Sequence, residues 1–277
     1  MPELPEVELV ARALRRFLCG RRIVSASLIR PGLSPATTPE DFSRLLKGKR
    51  VEQVDRRGKH ILIRLSSSLV LITHLRMTGS FLLLPLGSEL RKHTHALFHL
   101  NNREVLAFTD QRHFAMMKLV PADELSQTKE LSSLAPEPFS EEFTPRYLHE
   151  ALQRSRRTLK ETLLDQRRVT GLGNIYAAEA MFLARLNPFR PASDLSERRI
   201  PTLHRAIRHV LEEAIRHGSR RKVDPEDING SYFGGGNSGR WRVYDREGEP
   251  CIKCRAKIRR EVQGGRSTYY CPRCQRV

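Results

Sequence analysis

The C-terminal stretch restricts this chain more than any other. Cys251-x2-Cys254 and Cys271-x2-Cys274, with sixteen residues between the pairs, have the spacing of a tetrahedral four-thiolate zinc site. Every ligand is a cysteine, so no position is left for water, and the spacing predicts one structural Zn2+ per chain. Between the pairs, Ile258–Val262 and Ser267–Tyr270 flank Gly264-Gly265 and read as a β-hairpin. It carries Lys253, Arg255, Lys257, Arg259, Arg260 and Arg266 against Glu261 alone. That charge suits DNA phosphates, although zinc ribbons also bind proteins. Cys19 stands apart and is given no role. Five cysteines in 277 residues fit a reducing, cytosolic compartment better than a disulfide framework.

The rest of the composition narrows the partner. A net charge of +18 and a pI near 10.4 point to a polyanion, nucleic acid ahead of an anionic membrane surface. Ribosomal proteins and basic transcription factors would look the same at this level. There is no 18-residue apolar run and no secretory h-region, so neither a membrane span nor export is expected. GxGxxG and GxxxxGK[ST] are absent, which argues against a nucleotide-binding α/β domain.

The N-terminus reads as a helix. Pro5 suits a first turn, Glu6 and Glu8 suit the positive end of the dipole, and Val7, Val10, Ala11, Leu14 and Leu18 recur at helical spacing. Many chains begin Met-Pro for this reason alone. Removal of Met1 would also leave Pro2 as a secondary amine beside the Glu3 carboxyl. Such an amine attacking a sugar C1′ gives an iminium, an electron sink for elimination.

Short apolar runs follow at Ile23–Ile29, Val51–Asp55, His60–Leu65, Leu69–His74, Ser80–Leu84, His95–Leu100, Val105–Phe108 and Ala115–Val120, with a small helix at Pro39–Leu46. This pattern predicts a β-sandwich or barrel. Three loops stand out: Arg56-Arg57-Gly58-Lys59-His60, His74-Leu75-Arg76-Met77-Thr78-Gly79 and Asp110-Gln111-Arg112-His113-Phe114. An exposed Arg112–Phe114 pair would wedge into a base stack. Alternatively, Phe114 is core, with Arg112 snorkelling over it.

Residues 121–143, rich in Ser, Pro and Glu, read as a linker. Helices are expected at Pro145–Gln153, Thr158–Asp165 and Ser196–His217. In Thr170-Gly171-Leu172-Gly173-Asn174 the glycines break a helix, and Asn174 is placed to cap the next one. Exposed N–H groups there, with Arg156 and Lys160 upstream, would hold phosphates. An ordinary helix–turn–helix corner fits equally. Gly218–Asn237, ending in Gly234-Gly235-Gly236, reads as a mobile recognition loop or a spacer.

Taken together, MPELPEVE, DQRHF, LLDQRRVTGLGNIYAAE and C-x2-C-x16-C-x2-C resemble the formamidopyrimidine-DNA glycosylase family, which includes endonuclease VIII. The resemblance implies an α+β multidomain fold: an N-terminal β-sandwich with a leading helix (1–130), a helix-two-turns-helix domain (131–240) with a lesion-recognition loop at 218–236, and a zinc finger (241–277). It implies a bifunctional DNA glycosylase/AP lyase of bacterial base-excision repair. Such an enzyme is cytoplasmic and nucleoid-associated, monomeric, and acts on duplex DNA bearing oxidised bases or abasic sites. Pro2 is then the Schiff-base nucleophile, Glu3 the general acid, Lys59 the proton donor in β-elimination and Arg266 the residue of δ-elimination. Met77, Arg112 and Phe114 match residues that fill the hole left by a flipped base. His74, His93, Arg112 and Asn174 fall in the DNA-contacting set, with Arg156 and Lys160 similar in kind. Glu6 and Glu179 align with carboxylates near the family's active site.

The family's DPRRFG reads here as Asp110-Gln111-Arg112-His113-Phe114-Ala115, losing a proline, a cation and a glycine. Leu4 and the retained Met77–Arg112–Phe114 set favour the purine-acting branch. The alternatives are an endonuclease VIII-like enzyme for oxidised pyrimidines and a non-cleaving zinc-finger DNA-binding protein.

Overall fold

In the computed structural model, which describes residues 1–233 and 241–276, the chain opens with helix α1 (Leu4–Leu18). Glu3 is its N-cap, and the Glu3 amide donates to the Glu6 carboxylate at 2.9 Å. The stripe Val7, Val10, Ala11, Leu14 and Leu18 is buried throughout, as helical periodicity requires.

Strand β1 (Ile23–Leu28) and helix α2 (Pro39–Leu46) follow. Then come β2 (Val51–Arg57), β3 (His60–Leu65), β4 (Leu69–His74), β5 (Gly79–Pro85), β6 (Thr94–Leu100), β7 (Glu104–Asp110) and β8 (Met116–Pro121). They form two antiparallel four-stranded sheets, β1-β6-β7-β5 and β2-β3-β4-β8. Inward side chains of both sheets, among them Phe81, Leu83, Phe98, Phe108, Val54, Ile63 and Leu71, share one core with α1 and α2. Leu82 and Leu84 instead bury with Ala107 in a second cluster. That two-sided burial explains why Phe81–Leu84 shows no polar alternation. This is the expected β-sandwich.

Among the described residues, 1–132 and 215–233 form one compact unit, and 133–214 with 241–276 form another. The second contains α3 (Pro145–Gln153), α4 (Leu159–Leu164) and α5 (Asn174–Leu183). Thr144 caps α3, and a Thr158–Glu161 capping box starts α4. Helix α5 is buried almost all round; α4 and α5, joined by the Asp165–Gly173 turns, are the helix-two-turns-helix element. Helix α6 (Ile200–Gly218) carries the chain back to the first unit.

There the segment read as a mobile loop is structured in part. Gly218 still belongs to α6, where an added Cβ would lie 2.1 Å from Leu9 Cδ1, so a larger residue there requires the Leu9 side chain to move. A 3₁₀ turn at Pro225–Asp227 and a short helix α7 (Gly230–Phe233) follow. Asn229 pins them to β5: its Nδ2 donates to the Gly79 carbonyl at 2.9 Å and its Oδ1 accepts from the Phe81 amide at 3.1 Å. Gly234-Gly235-Gly236 lies outside the described residues. Near the C-terminus β9 (Arg259–Gln263) pairs with β10 (Arg266–Tyr270) across Gly264-Gly265, whose φ values of +53° and +72° suit a two-residue hairpin.

Candidate active site and nucleic-acid interface

Sheet register gathers the N-terminal candidates at one end of the first unit. Pro2 and Glu3 are buried directly before α1, while Met1 is 49% exposed. From the next turn of α1, Glu8 accepts from Arg56 Nε at 2.9 Å and from Arg12 Nε at 2.7 Å. Burial alone would raise the Glu8 pKa, but the two guanidiniums prevail and hold it below the usual carboxylate range. Arg56 also donates to the Gly58 carbonyl at 3.0 Å. The helix start is thereby tied to the β2–β3 turn, in which Gly58 has φ +58° and Lys59 is buried.

Directly after Lys59, His60 pairs with His74 across β3 and β4, their rings edge-on with centroids 4.7 Å apart. Burial pushes His60 down to about 4 and His74 to about 2; for His74 the neighbouring His60, Arg76 and Lys59 lower it further. Both rings are therefore neutral at pH 7. His74 Nδ1 accepts the Arg76 amide at 3.0 Å, so His74 enters the site as an oriented neutral ring rather than a cation.

The β4–β5 and β7–β8 loops meet where Gly79 pairs with Asp110. The Asp110 carboxylate, 1% exposed, accepts the Thr78 hydroxyl and the amides of Ala115 at 2.7 Å and Arg112 at 3.3 Å. Burial opposes its ionisation, but these donors prevail and keep its pKa low. The loop folded around it presents Arg112 over the Phe114 ring at 5.0 Å, with Phe114 56% and Met77 41% exposed. Phe114 is exposed, so the core reading of it does not hold. His93, half-buried with φ +64°, precedes β6 and lies beside the His113 ring, centroids 5.5 Å apart. Asp110 had no assigned role from sequence, yet an aspartate two residues before the exposed arginine is the signature of a side chain closing its own turn.

In the second unit three expectations change. The Gly171–Gly173 backbone is buried rather than an open rim of donors, and the Gly171 amide is taken by Gln166 Oε1 at 2.9 Å. Gly173, not Asn174, is the N-cap of α5; Asn174 Nδ2 instead donates to the Ser267 carbonyl at 3.0 Å. Lys160 is fully buried rather than facing phosphates. Its ammonium donates to the Ser267 carbonyl at 2.8 Å and Thr268 Oγ1 at 2.7 Å, and burial, then Arg266, pulls its pKa down to about 8. A lysine just after Arg156 and Arg157 reads from sequence as one more surface cation; nothing in the spacing gives its burial away. Arg156 and Arg266 are exposed. Glu179, wholly buried, accepts the amides of Arg242, Val243 and Tyr244 at 2.9–3.1 Å and anchors the segment after residue 240.

The four cysteines have their sulfurs within 4.8 Å of one another, with Cys251–Cys274 at 3.9 Å and Cys254–Cys271 at 3.4 Å. Zn–S bonds of about 2.3 Å in a tetrahedron place sulfurs about 3.8 Å apart, so the set fits zinc. Burial, then the neighbouring sulfurs, pushes the Cys274 thiol up to about 12; a divalent cation reverses that. The amides of Lys253 and Cys274 donate to Cys251 and Cys271 sulfurs at 3.4 Å each. Gln275, bridging the Cys271 amide and the Leu186 carbonyl, fixes the finger to the helices.

Three family models match in series: the formamidopyrimidine-DNA glycosylase N-terminal domain over residues 1–117, its H2TH domain over 134–224, and a zinc finger found in FPG and IleRS over 248–277. The formamidopyrimidine-DNA glycosylase of Pelotomaculum thermopropionicum is 42% identical over 278 residues, covering 100% of both chains. A complex of Lactococcus lactis Fpg with abasic-site DNA superposes with a TM-score of 0.90 at 32% identity, covering 99% of this chain and 100% of that one. A mutant of that protein bound to Fapy-dG DNA gives 0.91 at 33% identity, with 100% of both chains covered. No helix among the described residues is long and apolar enough to cross a membrane. The sandwich, the helix-two-turns-helix element, the four-cysteine finger and the full-length matches agree: this chain belongs to the formamidopyrimidine-DNA glycosylase family, zinc-finger DNA glycosylases of base-excision repair.

Proposed function

We propose that this chain excises oxidised purines, 8-oxoguanine and formamidopyrimidines, from duplex DNA and then cleaves the strand as an AP lyase. One observation carries the reading: Pro2 and Glu3 are buried at the end of the sandwich that also holds Lys59 and the exposed Met77, Arg112 and Phe114. Removal of Met1 frees the Pro2 amine. Met77 and Phe114 wedge into the stack while Arg112 faces the orphaned partner base, and the damaged nucleotide swings out, at a cost of a few kcal/mol. Pro2 nitrogen attacks C1′, the glycosidic bond breaks, and Glu3 acts as general acid. The C1′–O4′ bond then opens to an iminium, O4′ taking a proton from Glu3; the iminium acidifies C2′, whose proton passes to water as the 3′ C–O bond breaks by β-elimination, Lys59 protonating the departing phosphate. Arg266 then promotes δ-elimination at the 5′ side, leaving phosphate ends. His74, His93, Arg156 and Asn174 contact or orient the DNA backbone, and zinc holds the finger without entering the chemistry. Residues 1–130, 131–214 and 241–277 serve as catalytic, DNA-gripping and finger modules of a cytoplasmic monomer, with 215–233 belonging to the catalytic unit.

Borohydride reduction during turnover on an 8-oxoguanine:cytosine duplex should trap a covalent adduct, which Pro2→Gly abolishes. Equal trapping by protein that retains Met1 refutes the nucleophile assignment. Faster cleavage of a thymine glycol:adenine duplex refutes the purine preference.

A further inference from the structure

The loop that carries Arg112 and Phe114 has a second support, built from imidazoles. His95, buried at the start of β6, places Nε2 2.8 Å from the Asp110 carbonyl and 3.0 Å from His113 Nδ1. A carbonyl oxygen only accepts, so His95 Nε2 carries the proton. The same proton faces His113 Nδ1, which must then be the bare nitrogen. A doubly protonated His113 would set N–H against N–H across that 3.0 Å gap. The arrangement therefore exists only with His113 neutral.

We propose that His113 is a positioning residue for lesion recognition: its neutral ring, held by His95, sets the Arg112–Phe114 loop, and its protonation releases that loop. This rests on the reading that Arg112 and Phe114 occupy the gap left by the flipped base. His113 lies between them in sequence with φ +61°, so a shift of its ring moves both neighbours. The charged and titratable groups facing it are Arg30, whose Nη1 donates to the His113 carbonyl at 3.3 Å, His93 and His95 from around the start of β6, and Asp110 from the end of β7. His113 is exposed, and partial desolvation by its neighbours, then Arg30, His95 and His93, disfavours a charge on it while Asp110 opposes them; the balance lies below the ordinary histidine value of 6.5. The ring is neutral at pH 7.5 and gains its proton only as the pH falls below the ordinary histidine value. Where the family's pattern has a permanent cation, this chain has a group whose charge depends on pH.

The test measures affinity for a duplex with a reduced abasic site opposite cytosine and for the undamaged duplex, by anisotropy, from pH 7.5 to 5.5. Taking the ratio cancels the general attraction of any added positive charge to DNA. In the native protein the ratio should fall about fivefold with acidification, the size of one net hydrogen bond. His113→Asn offers a neutral acceptor and tolerates positive φ, so its ratio should stay high and flat. His113→Ala should be low and flat. Parallel acid profiles for native protein and His113→Asn overturn the proposal, as does a native profile in His113→Ala. Arg112→Ala separates the two levels: if it leaves the ratio unchanged at pH 7.5, the gap-filling reading itself fails.

Discussion

Two exposed arginines, Arg112 and Arg266, are each presented by a segment held from beneath by a buried charge, and the charges have opposite sign. Under Arg112 lies the Asp110 carboxylate, collecting the Thr78 hydroxyl and loop amides. Beside Arg266 lies the Lys160 ammonium, donating to the Ser267 carbonyl and the Thr268 hydroxyl. A tight loop turns its N–H groups inward and needs an anion; the edge of a hairpin strand turns carbonyls outward and needs a cation. Asp110 is opposite in sign to the arginine displayed above it, whereas Lys160 has the same sign as Arg266 and acts through the backbone carbonyl it holds. The two should therefore fail under different conditions.

The largest effect separates them by metal. The hairpin depends on zinc as well as Lys160, whereas among the described residues no metal-binding cluster lies at the Asp110 loop. Cys271→Ser should weaken duplex binding by roughly a hundredfold or more, because structural zinc supplies folding energy outright. Unit-one stability, followed by amide exchange in β3 to β7, should hold. Undiminished affinity in protein shown to lack zinc would break the comparison at its first step.

Next in size is Asp110→Ala. It leaves buried loop amides without an acceptor, at a cost of about 2–3 kcal/mol in stability. Asp110→Asn should fall between, since one amide oxygen still accepts. If both variants melt like the native protein, the carboxylate does not organise the loop.

Acid should act on the first unit in two windows. His60 and His74, depressed to about 4 and about 2, bind protons when unfolded but not when folded at pH values below 6.5. Their contribution is complete above 6.5 and is lost as the pH falls, at about 1.4 kcal/mol per pH unit for each ring. Asp110, also depressed, keeps its contribution above the ordinary aspartate range and loses it further down. Denaturant midpoints between pH 7 and 4.5 should show the first window, with its slope reduced in His60→Gln. A flat profile there would mean the two rings do not stay neutral.

The contrast also bears on what sequence discloses. The four cysteines, the α1 stripe and every strand of the sandwich were legible, because spacing and alternation are local. The exposure of Met77, Arg112 and Phe114 was legible only as one of two options, since exposure is decided by strand register, here the Gly79–Asp110 pair. The supports were not legible. Lys160 looks like its exposed neighbours Arg156 and Arg157, and only the fold brings Ser267 to it. Asn174 sits where a cap is expected, but its side chain makes a contact 93 residues away. Side chains that bond to distant backbone carry no periodic signal.

Lys160 gives the smallest effect and the sharpest one. Exchanging it for methionine removes a buried ammonium that already pays a desolvation penalty, visible in a pKa drawn down to about 8. The lost hydrogen bonds and the relieved burial offset each other, so stability should change by no more than about 1 kcal/mol. The position of Ser267 should change more, because its carbonyl would keep only the Asn174 donor at 3.0 Å. Arg266, one residue away, would drift. Under the proposed chemistry, base removal should hold within a factor of about two, while the ratio of δ- to β-elimination products falls about tenfold, a modest value for a misplaced catalytic group. Lys160→Arg should recover part of that ratio if its longer head reaches the same carbonyl. An unchanged product ratio in Lys160→Met, with zinc bound, would show that the ammonium only fills space, and that the two arginines are not held by matching devices of opposite sign.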